Sequence, residues 1–176
     1  MRFGSDSKSG GGMAAQDDLG SRGEYLFSVR IMNFCGRPLP YFRPRFLGEK
    51  ARTLDFLVEL VGTGERTLFF FAQVKTTRKG YTKKERRLKV EMSGADVRRA
   101  CLVPAPTYLI GIEEREEAAY LVPLLEGMTD DIASIPTTYP LDCTNLPRLY
   151  AEVEQFWSCR DMRHLTSVFS FAKGET

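Results

Sequence analysis

Residues 54–61 (LDFLVELV) and 67–76 (TLFFFAQVKT) are two apolar runs of strand length, separated by Gly62, Thr63, Gly64, Glu65 and Arg66. A short polar break with two glycines between aliphatic and aromatic runs predicts an antiparallel hairpin. Strand alternation sets Asp55 and Glu59 on the face opposite Phe56, Val58 and Leu60, and sets Gln73 and Lys75 opposite Ala72 and Val74. Polar groups inside segments that otherwise call for burial need a purpose or a partner. Pairing the two strands would present Asp55, Gln73 and Lys75 together.

Around this hairpin the chain reads as alternating helices and strands. Residues 1–18 are rich in Gly, Ser and Asp and lack hydrophobic periodicity, so a disordered leader is expected there. Leu19, Leu26, Phe27, Ile31 and Phe34 form a helical stripe that Gly36 and Pro38 end. Residues 39–49 carry Pro40 and Pro44, which fits an edge segment or a loop. Residues 88–92 alternate and predict a further short strand, and Ser93 is placed to cap a helix over residues 94–102. Residues 107–112 and 119–124 predict another strand pair, with the charged cluster EEREE (residues 113–117) at a solvated turn. A linker rich in Thr, Pro and Asp (residues 129–142) then leads to a helix over residues 146–165. The expectation is a single α/β domain over residues 19–176, with a mixed sheet flanked by helices and a C-terminal helical extension from residue 143.

With 176 residues, 43% of them hydrophobic, the chain can build one ordinary core. A formal net charge of +2 does not by itself point to nucleic acid, so placement of charge has to decide. Cys35, Cys101, Cys143 and Cys159 contain no CxxC pair, which argues against structural zinc and predicts reduced thiols in a cytoplasmic protein. No segment approaches the roughly 18 apolar residues of a membrane span, and none has a signal-peptide pattern. The single histidine, His164, lies on the predicted last helix, which leaves nucleophilic triads without a base; no phosphate-binding glycine loop occurs.

Asp55 and the Gln73 amide oxygen form a hard oxygen donor pair suited to Mg²⁺ or Mn²⁺, and the Lys75 ammonium could orient the attacking water or offset phosphoryl charge. Asp55, then Gln73-Val74-Lys75 at the end of an aromatic strand, with Glu24 on the preceding helix, resembles the PD-(D/E)XK nuclease superfamily. More narrowly, RGEYLF, TLDFLVEL, FFFAQVKTT, PAPTYLIGI and AAYLVPL are similar to a prokaryotic branch akin to Mrr-type and Holliday-junction-resolvase-type domains. The resemblance covers residues 19–125. It implies a restriction-endonuclease-like four-stranded mixed sheet between helices, and divalent-metal-dependent hydrolysis of DNA phosphodiesters in a restriction or defence setting. It also implies roles: Asp55 as the metal-binding acid, Gln73 in the second ligand position, Lys75 as the catalytic lysine and Glu24 as the helix acid of the metal site. Leu54 stands where the motif has proline, and Gln73 where it has a carboxylate, which removes a negative charge from the metal site. The plain alternative for these residues is a wet strand face with a cross-strand pair of Asp55 and Lys75.

Beyond Lys75, the residues Arg78, Lys79, Lys83, Lys84, Arg86, Arg87 and Lys89 are opposed only by Glu85, with Tyr81 interleaved. Beside a phosphodiesterase site such a segment would neutralise backbone phosphates and leave Tyr81 to stack on a base. Two further readings stay open: a catalytically weak or inactive module of the same fold that binds nucleic acid, and a subunit that meets a protein partner through its last helix. Superfamily members often act as homodimers; no dimer face is legible here.

Overall fold

The computed structural model describes residues 10–48 and 53–159. Five strands form one mixed sheet in sequence order: β1 (Phe42–Phe46), β2 (Phe56–Leu60), β3 (Phe69–Thr77), β4 (Thr107–Glu113) and β5 (Ala118–Pro123). The β3–β4 pair is parallel and the other three are antiparallel. Gly62 and Gly64 adopt positive φ in the β2–β3 turn, a conformation open to glycine without penalty. Parallel strands cannot be joined by a tight turn, and the β3–β4 crossover carries α2 (Gly94–Cys101). Ser93 caps α2 by accepting the Asp96 N–H, as the sequence predicts. Pro44, which has no N–H to donate, lies in the edge strand β1.

Both faces of the sheet are covered, so β4 is buried along its whole length. One face packs Phe56, Val58, Phe70 and Ile110 against Phe27 and Ile31 of α1 (Gly10–Ile31) and Leu149 and Val153 of α3 (Leu146–Cys159). The other packs Leu109 and Leu124 against Val97 and Ala100 of α2, with Leu88, Val90 and Ile135 filling in from loops. Burying a side chain of this size contributes about 1.5–3 kcal/mol, so each face is a core in its own right.

Several expectations need correction. Helix α1 begins at Gly10, so residues 10–18 of the expected leader are helical; residues 1–9 lie outside the described residues. Residues 88–92 make isolated bridges instead of a sheet strand: Leu88 to Tyr81, and Leu88 and Met92 to Ile135 and Ile132 of the later segment. Those bridges make residues 129–142 more than a linker, because Ile135 is fully enclosed in the second core. Helix α3 is described to Cys159, and His164 and Leu165 lie outside the described residues. Its apolar face is spent on the first core, and its Trp157 donates to the Phe69 carbonyl at 2.7 Å, so it completes the domain. The sheet has five strands where the resemblance implies four.

Cys35, just past α1, and Cys143, just before α3, form a disulfide, which overturns the expectation of reduced thiols for this pair. Their separation of 108 residues hides a proximity that arises only when both helices dock on the same face. Cys101 and Cys159 are free. Among the described residues no helix is long and apolar enough to cross a membrane.

Helix α1 comes very close to β3 at Gly23. A Cβ there would collide with the Thr76 hydroxyl and stand 2.8 Å from Thr76 Cβ, and a β-branched side chain has few rotamers with which to yield. Gly20, three residues earlier, has open space around it. Gly23→Ala is expected to lower stability by about 1–3 kcal/mol through overpacking, whereas Gly20→Ala raises it by about 0.5–1 kcal/mol. Urea unfolding of the two variants checks the contrast, and equal effects would contradict it. Cys35→Ser, which opens the long covalent loop, is expected to reduce stability by about 2–5 kcal/mol, an effect that reduction of the wild type should reproduce.

Candidate functional site

The β2–β3 ladder ends at a fork. Asp55 sits one residue before β2, its N–H bonded to the Ala72 carbonyl at 3.0 Å and its carbonyl accepting from Leu47 N–H at 2.8 Å. Beyond that point β2 has no further backbone to offer β3. The Asp55 carboxylate takes over, with Oδ2 accepting from Val74 N–H at 2.6 Å and from Gln73 Nε2 at 2.7 Å. Bonds from neutral donors to an ionised acceptor are short and strong, so the carboxylate both closes the ladder and orients the amide.

Asp55, Gln73 and Lys75 therefore converge on the sheet face opposite Ala72 and Val74, whose side chains belong to the first core. Asp55 Oδ1 and Gln73 Oε1 accept no hydrogen bond among the described residues. Since no buried side-chain oxygen there lacks a partner, both open onto solvent. They face a cavity of about 760 Å³ that Lys75, Arg78, Lys79 and Lys89 line as well. Glu24 of α1 stands on its wall, brought there by the close approach at Gly23. Gln73 thus uses its NH₂ to hold Asp55 and keeps its oxygen for the cavity.

Burial pushes the Asp55 carboxyl above its ordinary value; the Val74 N–H, the charge of Lys75 and the Gln73 amide pull the other way and are outweighed. Asp96, at the start of α2, is held below its ordinary value mainly by the Ser93 hydroxyl, then by Arg99, with Lys75 adding a smaller pull across the gap. Among the described residues no group of three or more His, Cys, Asp or Glu side chains could hold a metal. The oxygen-bearing groups that share the cavity wall at the fork are the carboxylates of Asp55 and Glu24 and the Gln73 amide. This fits Mg²⁺ or Mn²⁺, hard ions that keep several waters and need few protein ligands.

The basic segment divides into engaged and unengaged cations. Arg78 pairs with Glu114 at 2.8 Å, and Lys79 with Glu91 at 2.6 Å. Arg87 donates to the hydroxyl and carbonyl of Ser134, and Arg86 lies over the Tyr81 ring. Tyr81 hydrogen-bonds Glu116 and packs on Tyr120, so its ring is committed to the second core rather than left to stack on a base. Lys83 and Lys84 are exposed and have no ion-pair partner among the described residues. Glu59 makes a two-point pair with Arg45, a structural role.

Sequence reasoning missed Glu113 and Glu114, read above as part of a solvated turn. Both are buried, and Glu114 joins Arg22 of α1 to Arg78 at the end of β3, each at 2.8 Å. The Arg78 guanidinium, followed by Arg22 and Arg115, holds the Glu114 carboxyl below its ordinary value. Five charged residues in a row mask the two that are buried, and strand alternation does not find them, since they are adjacent and Glu114 lies just past β4.

No protein-family model, curated protein or solved structure matches the chain.

A testable pH dependence follows from Asp55. Its folded value lies above the ordinary 3.8, so between those two values the folded state binds more protons than the unfolded one. Stability from this residue is full below the ordinary value and is lost as the pH rises through the folded value. Relative to wild type, Asp55→Asn should therefore gain stability as pH rises from about 3.5 to about 7. Urea midpoints measured in parallel across that range check it; a difference that stays flat or moves the other way contradicts it.

Proposed function

We propose that the chain is a PD-(D/E)XK-type DNA endonuclease that hydrolyses phosphodiester bonds with Mg²⁺ or Mn²⁺, in a restriction or defence setting. The observation that carries this reading is the fork itself, where Asp55 and Gln73 turn free oxygens into a cavity shared with Lys75 and Glu24. The order helix, three antiparallel strands, helix, parallel strand agrees with a restriction-endonuclease-like core, with β5 and α3 added.

In this reading Asp55, Gln73 and Glu24 hold the metal, and the metal supplies Lewis-acid polarisation of the scissile phosphate. Lys75 contributes positive charge at the phosphoryl oxygens, where negative charge grows in the transition state, and a donor to align the attacking water. Lys89, Lys83 and Lys84 attract the DNA backbone in a salt-dependent, sequence-independent way. Arg78 and Lys79 sit at the same cavity and serve phosphates only by exchanging their carboxylate partners.

A second reading is favoured by one detail. Gln73 adds no negative charge and spends its NH₂ on Asp55, which suits a module that binds nucleic acid and cuts weakly or not at all.

Supercoiled plasmid incubated with Mn²⁺ or Mg²⁺ separates the two. Nicking by the wild type is expected to fall by about 100-fold or more in Lys75→Ala and in Asp55→Ala of verified folding. Intact plasmid, linear, branched and single-stranded DNA with folded wild type would overturn the nuclease reading. Retention of DNA that Lys83→Glu with Lys84→Glu abolishes would then establish the binding module.

A further inference from the structure

A second cavity, about 530 Å³ in volume, opens between α1 and the end of β1 and shares Gly20, Glu24 and Asp55 with the first. Its size falls within the roughly 300–1,000 Å³ typical of small-molecule sites. Three aromatic side chains line it: Tyr25, 74% exposed, Phe46, 50% exposed, and the buried Phe56 at its back. The Phe46 ring is braced 5.4 Å from Phe56, which is itself 4.9 Å from Phe27 in the first core. Phe46 is thus a fixed apolar surface, and Tyr25 stands on a helix that is packed, charge-paired and disulfide-tethered.

The balance of charge differs between the two cavities. Asp17, Glu24 and Asp55 line the second, and no lysine or arginine lines it among the described residues. Lys75, Arg78, Lys79 and Lys89 line the first, beside Glu91 and the shared Glu24 and Asp55, so that cations outnumber carboxylates there. A phosphate is repelled from the acidic side and drawn to the basic one. A neutral heterocycle has the opposite preference, since it can stack on the aromatic faces and offer its polar edge to Ser21 and the carboxylates. A nucleic-acid strand passing the shared carboxylates would place its backbone on one side of them and its base on the other.

We propose that the cavity between α1 and β1 receives an unstacked nucleobase of the strand to be cut, with Tyr25 and Phe46 as the stacking platform. The substrate is then DNA that carries an unpaired or easily extruded nucleotide, in preference to perfect duplex. This rests on the nuclease reading for the identity of the strand, while the base cavity itself is tested by binding alone.

The test uses the full chain in EDTA, where no cutting occurs. The probes are a perfect duplex and the same duplex with a single unpaired 2-aminopurine, each followed by anisotropy and by 2-aminopurine fluorescence. Wild type is expected to favour the bulged duplex by about tenfold and to quench the probe on stacking. Tyr25→Ala should remove most of that preference and the quenching, whereas Tyr25→Phe keeps both. Val29→Ala, on the same helix but outside the cavity, keeps them too. Equal affinity of wild type for the two duplexes, or a preference and quenching that survive Tyr25→Ala, would overturn the proposal. Stacking-dependent binding without metal-dependent nicking would retain the base cavity and remove the nuclease reading. Nicking that is indifferent to the unpaired base and to Tyr25 would do the reverse.

Discussion

The hydrogen bond from Val74 N–H to Asp55 Oδ2 governs the geometry around the fork. When two antiparallel strands part, the next inward-facing N–H on the longer strand loses its partner, and leaving it buried and unpaired costs about 1–3 kcal/mol. A carboxylate at that position closes the ladder with a side chain, at the expense of placing a charge where water is scarce. Gln73 shares the same oxygen and spreads that charge over a second donor. The fold thus calls for a side-chain acceptor at residue 55 for reasons of its own, and the proposed chemistry makes use of the carboxylate that fills it. The two oxygens of this carboxylate are used differently: Oδ2 closes the ladder, and Oδ1 faces the cavity of the proposed metal site.

What brings a second acid to this place is a set of ties between α1 and the rest of the domain. Gly23 lets the helix backbone close on Thr76, Phe27 and Ile31 enter the core, Arg22 reaches Glu114, and Cys35 is bonded to Cys143. They differ in strength: the partly exposed ion pair contributes about 1 kcal/mol or less, and the disulfide and the buried side chains contribute more. Acting together on one rigid helix, they fix both the height of Glu24 above the sheet and its rotation about the helix axis. Tyr25, the next residue, is set on the other side by the same restraints.

The hairpin, the cap of α2, the edge character of β1 and the convergence of Asp55, Gln73 and Lys75 were legible because each rests on short-range rules. Strand period and turn composition place residues 54–76 without knowledge of anything else in the chain. The remaining features were hidden for a common reason. The disulfide, the Glu114 bridge and the docking of residues 129–142 on the second core pair residues far apart in sequence, and no periodicity reports such distances. The helical state of residues 10–18 was hidden differently, since Gly-rich composition there disfavours a helix that the continuous segment nonetheless adopts. Tyr81 shows the limit of composition from another side: an aromatic among cations reads as a stacking surface, yet its hydroxyl has partners in Glu116 and Tyr120.

Glutamine at position 73 follows from the same balance that sets Asp55. Two carboxylates at residues 55 and 73 would share one partly buried site, and without a metal one of them would have to take up a proton or move apart. An amide removes that repulsion and adds a donor, so the proposed metal site is assembled before any cation binds. The gain in preorganisation carries a loss in affinity, because a neutral oxygen attracts a divalent ion less than a charged one does. Glu24, approaching from α1, then supplies the second negative charge from a separate element, far enough along the chain to be set by helix docking rather than by strand register. A site of this composition responds to anything that shifts α1, which makes the closeness of Gly23 to Thr76 as consequential for its charge as any of the groups that line it.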